Sequence, residues 1–116
     1  MDTEQVPPTE TFTFTTLLRA GREQDYERFH RAIPAELDAA MRAAGVLGWQ
    51  IRRQGTTLTH EVTARSRARM NLILEGDEVN RAWQHEVAPF LDSSRPAPAP
   101  DADAGALIWD FSWPTR

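Results

Sequence analysis

A chain of 116 residues, 41% hydrophobic and 26% charged, has room for one folded core and too much apolar content to be disordered throughout. Seventeen acids against 13 basic residues leave a net charge of −4, which argues against sequence-independent binding to nucleic acid, because that binding runs on neutralised phosphates. All 13 basic residues are arginine and there is no cysteine. Schiff-base and PLP chemistry on a lysine, disulfides, thiolate nucleophiles, sulfur-ligated zinc and iron–sulfur clusters are therefore excluded.

Met1 to Glu10 carry acids and two adjacent prolines but neither the basic start nor the apolar core of a signal peptide. No apolar stretch approaches the ~20 residues of a membrane span. These features predict a flexible lead-in over 1–10, one domain over 11–116, a cytoplasmic location and no membrane partner.

Thr11 to Leu18 alternates with period two, placing Phe12, Phe14 and Leu18 on one face of a strand. Ala20-Gly21 stops it. A helix is predicted from about Arg22, with Tyr26, Phe29, His30, Ile33, Leu37 and Met41 on one core-facing stripe. Pro34 cannot donate to the carbonyl of His30, so the helix kinks there or restarts with proline in its first turn, and Gly45 closes it. Val46 to Arg53 reads as a strand with Leu47, Trp49 and Ile51 on one side. Thr56 to Ala64 follows as its hairpin partner, with Leu58, His60 and Val62 together. Ser66 to Leu91 returns to helix, broken at Gly76. The Pro/Ala-rich stretch 93–105 is a spacer, and Leu107 to Trp113 forms a last strand.

The order strand, helix, strand, strand, helix, strand predicts an α+β, ferredoxin-like βαββαβ fold with both helical segments on one face of an antiparallel sheet. The other face is expected to leave apolar strand residues uncovered, which a homodimer stacking two sheets would bury.

Tyr26 and His30 lie one turn apart on the buried stripe. The runs Tyr26-Glu27-Arg28-Phe29-His30, Glu36-Leu37 and Glu78 to Phe90, with its Val79-Asn80 and Trp83-Gln84, resemble the L-rhamnose mutarotase family over Phe12 to Trp113. The resemblance implies a small dimeric α/β barrel working without cofactor or metal. It implies His30 as catalytic acid/base, Tyr26 as its neighbour, and Trp83 and Trp49 as pocket walls, Trp49 replacing a tyrosine common in the family. Pro34 and Ala35 stand where the family has Trp-Pro, which removes one sugar-stacking ring, and Gln84 stands where some members have a second tryptophan.

Imidazole suits mutarotation because one ring accepts and donates protons near neutral pH. The same residues in a less polar pocket would also serve a cofactor-free cyclase or isomerase of a polyketide or other secondary metabolite. A third reading is a non-catalytic or oxygenase-type barrel. Each singled-out residue also has a plainer role: His30 and Tyr26 as core, and the four tryptophans as core or dimer packing. His60 is either buried structure or a second acid/base, and it is assigned to the substrate pocket with Trp49 and Trp83. His85 points away, and the arginines around Arg67 form a solvated face.

Overall fold

The computed structural model describes residues 8–116. The elements are β1 (Glu10–Leu17), α1 (Glu23–His30), α2 (Ala35–Ala43), β2 (Val46–Gln54), β3 (Thr57–Ala64), α3 (Arg67–Glu75), α4 (Glu78–Val87) and β4 (Ala106–Asp110), with a short 3-10 turn at Ala88–Phe90. This is the α+β order expected, with each helical segment split in two. The lead-in over 1–10 falls mostly outside the described residues, and β1 already begins at Glu10.

Each break has a local cause. Pro34 takes an extended conformation and precedes α2 instead of sitting in its first turn, so α1 ends at His30 and a new helix starts. Gly45, at φ 93°, closes α2 with its N–H on the Arg42 carbonyl. Ser66 caps α3 by accepting from the Arg69 amide, and after Gly76 the Asp77 carboxylate caps α4 through the Asn80 amide.

The sheet has the order β1-β3-β2-β4, all neighbours antiparallel. The helices cover one face, over a core of Leu18, Ile33, Ile51, Leu58, Val62 and Trp109. Burying each such side chain contributes roughly 1.5–3 kcal/mol. A β-bulge between Val46 and Gly48 throws Leu47 out of the row, so it is solvent-exposed and does not join Trp49 and Ile51.

The face away from the helices departs from expectation. It carries Thr11, Thr13, Gln50, Arg52, Thr59, Glu61 and Thr63, and is largely polar, because most apolar strand residues point toward the helices; Leu17 and Leu107, opposite Thr57 and Arg52, are exceptions. The spacer crosses this face. The chain returns beside the end of β1 through Arg19 N–H to Phe90 O and Asp92 N–H to Leu17 O. The Thr15 hydroxyl then donates to the Pro98 carbonyl, and Pro100 to Gly105 lie over Thr13, Gln50 and Thr59. Thus β4 reaches the β2 edge. Gly105 makes the landing possible: at φ 87° it lies so close to β2 that a Cβ would sit 2.1 Å from the Arg53 carbonyl oxygen. The last strand ends at Asp110 and does not run to Trp113, because the Asp110 carboxylate accepts from both the amide and the hydroxyl of Ser112 and turns the chain.

Candidate active site

A cavity of about 160 Å³ opens between the helices and the inner face of the sheet. Every chain segment contributes to it: Thr16 from β1, His30 from α1, Trp49 from β2, His60 from β3, Trp83 from α4 and Trp109 from β4. Tyr26, His30, Trp49, His60 and Trp83, singled out from the sequence, all line this one space. Thr16, Asn80, Gln84 and Trp109 also line it and were not anticipated as pocket residues. The alternation in the last strand marks Trp109 as buried but carries no sign of what it faces. Thr16 was hidden by its ordinary place in a threonine-rich strand. Gln84, exposed on α4, stands at the rim. His85 is exposed, as expected.

His30 is the last residue of α1 and is enclosed by rings. Tyr26 lies 5.3 Å away between centroids, Trp83 meets it edge-on at 5.3 Å and Trp109 at 4.8 Å. Burial pushes its pKa down to about 4, even though the residue's own backbone favours the charged ring; Arg116 adds a smaller lowering. The ring is therefore neutral at pH 7. Its Nδ1 is buried and has no hydrogen-bond partner, and the residue lines the cavity. Burial likewise raises Tyr26 above the ordinary phenol range, so its hydroxyl keeps its proton.

The end of α1 is held by the C-terminal segment. The Arg116 amide donates to the Ile33 carbonyl, its guanidinium donates to the Phe29 carbonyl, and the Ala35 amide donates back to the Arg116 carbonyl. The same guanidinium lies over the Phe29 ring, which stacks on Trp83 at 4.9 Å. This clamp fixes the turn that ends the helix at His30.

His60 sits in a cross-strand row between Phe14 and Ile51, its ring stacked on Phe14 at 4.5 Å. Its Nδ1 accepts from the Trp49 indole at 3.2 Å, and its Nε2 is 3.0 Å from the Thr16 hydroxyl. Burial, and secondarily the charge His30 would carry, lower its pKa to about 3. Both nitrogens are engaged, so this imidazole has no free lone pair for a ligand.

A cavity walled by aromatic rings, with the imidazole of His30 and the phenol of Tyr26 in its lining, is the candidate site of this small α+β protein. Among the described residues no three metal-ligating side chains converge, and no helix is long and apolar enough to cross a membrane. Residues 11–109 match the family model described as rhaM, L-rhamnose mutarotase. The chain belongs to the L-rhamnose mutarotase family, a family of isomerase-type enzymes acting on a small molecule. No curated protein and no solved structure matches it significantly.

Proposed function

We propose that the protein interconverts the anomers of a monosaccharide of the size of L-rhamnose, with His30 as general acid/base. The observation that carries this reading is the neutral imidazole of His30 in the lining of a cavity of about 160 Å³, in a chain of this family. With its proton on Nδ1, the ring presents a lone pair at Nε2. Nε2 takes the proton of the anomeric hydroxyl while the bond from C1 to the ring oxygen breaks and C1 becomes an aldehyde. The imidazolium then returns the proton to the ring oxygen, toward which Tyr26 donates a hydrogen bond. Rotation about C1–C2 and the reverse sequence close the other anomer, so protons and electrons balance without a co-reactant. Acid/base help of this kind is worth about 100- to 10,000-fold.

Trp83 and Trp49 serve as apolar walls for the sugar's C–H faces, and His60 holds Trp49 and Thr16 in place instead of acting as the acid/base. Cavity size argues against the polyketide cyclase, since sites for drug-sized ligands run to roughly 300–1,000 Å³. A homodimer at work in the cytoplasm is part of this reading, on the family's implication. The sheet face that two stacked copies would share is polar and partly covered by the spacer, so polar contacts would dominate such an interface. Sedimentation at micromolar concentration, reading 26 kDa-scale against 13.1 kDa species, checks the dimer at about twice the chain mass.

The function is tested by saturation-exchange NMR between the α and β anomers of L-rhamnose. Acceleration in proportion to pure protein is expected. Exchange no faster than in buffer overturns the reading.

A further inference from the structure

We propose that Thr16 orients the ligand by donating a hydrogen bond to one of its oxygens, in a direction dictated from the far side of the His60 ring. The inference rests on the proposed function for the ligand's class, but its geometry stands independently. Four facts set the direction. The Trp49 indole nitrogen can only donate, so at 3.2 Å the His60 Nδ1 must be the acceptor and carry no proton. A neutral imidazole then has its proton on Nε2, and burial keeps this ring neutral. Nε2 is 3.0 Å from the Thr16 oxygen, which therefore accepts. The hydroxyl's own proton is left without a partner among the described residues, on a residue that lines the cavity.

The chain from Trp49 through His60 to Thr16 is thus a one-way row of donors. Had the indole been a phenol, which both donates and accepts, the row could run either way, and Thr16 would spend its proton on His60. The row ends with a proton offered to an acceptor, such as a ring or hydroxyl oxygen of a pyranose. It stands on the β1 side of a cavity whose proton-transferring group is on α1. Such a fixed donor selects ligands with an oxygen at that place, because an analogue lacking it leaves a buried donor unmet.

The experiment compares Thr16→Val, which keeps the shape and removes the hydroxyl, with Thr16→Ser, which restores it. L-Rhamnose binding is followed by saturation-transfer-difference NMR, anomer exchange is measured on the same samples, and circular dichroism reports the fold. Thr16→Val is expected to weaken binding and raise KM about 3- to 15-fold, with kcat changed less than about threefold. Thr16→Ser should lie within about twofold of the parent. If Thr16→Val does not fold, Thr16→Ala replaces it with the same expectation. In the unsubstituted protein, ¹⁵N shifts of His60 should report the Nε2-protonated tautomer. Unchanged binding in the hydroxyl-less variant, an Nδ1-protonated His60, or no L-rhamnose binding by the parent each overturns the proposal. Binding by the parent without accelerated exchange, lost in Thr16→Val and regained in Thr16→Ser, sinks the mutarotase function and leaves Thr16's role standing.

Discussion

The His30 imidazole meets the Trp109 indole edge-on, at 4.8 Å between centroids and 70° between planes. The contact joins the end of α1 to β4, the last strand in the sequence, so two segments far apart in the chain meet at the proposed base. It also excludes water from one side of the ring, which is how burial holds the imidazole neutral.

Replacing Trp109 by leucine should therefore do two things. Lost packing destabilises the fold by about 2–4 kcal/mol. Water admitted beside His30 raises its pKa from about 4 toward the ordinary 6.5. NMR titration of the His30 ring reads the second effect apart from the first, and a pKa that stays near 4 contradicts the role given to Trp109.

Stability should fall steeply in mild acid. His30 and His60 have folded-state pKa values of about 4 and about 3, against 6.5 when unfolded. Between those limits the unfolded chain binds protons that the folded chain refuses, so stability rises with pH. Their contribution is complete above about pH 6.5 and is lost as pH drops through 4 to 3. The slope is about 1.4 kcal/mol per pH unit for each histidine. Denaturant midpoints from pH 7.5 to 4.5 should show this decline, and His60→Asn should flatten it.

Gly105→Ala should detach β4 from the sheet. A methyl group there meets the Arg53 carbonyl, and a non-glycine residue at φ 87° is strained. A cost of about 2 kcal/mol or more is expected, with loss of hydrogen-exchange protection concentrated in Ala106–Asp110. Uniform protection across the sheet would mean that the spacer holds β4 without this close approach.

Much of this fold was legible because alternation and helical spacing mark which side chains are buried. Phe14, Leu58 and Val62 announced the inner face, and Tyr26, His30, Leu37 and Met41 the helical stripe. Gly45, Gly76 and Pro34 marked the breaks, since each acts through local backbone geometry. The hairpin of β2 and β3 was legible, but the placement of β4 at the β2 edge was not, for it depends on where the spacer runs, and a Pro/Ala segment carries no pattern that names its partner. Nor was the bulge that ejects Leu47, because one extra residue shifts the register without altering composition. At the site, the five residues that gather round the cavity were visible as buried polar and aromatic positions. Periodicity could not tell that Trp109 touches His30 or that Thr16 meets His60, because these are contacts between segments far apart in the chain, nor that the Trp49 indole bonds His60 across the hairpin.

The central claim is that the His30 imidazole carries the proton. The most direct measurement is L-rhamnose anomer exchange by NMR with His30→Ala, beside circular dichroism to establish that the variant is folded. At least a 100-fold loss of the protein-dependent rate is expected, with the fold retained. A folded His30→Ala protein that exchanges anomers as fast as its parent would contradict it.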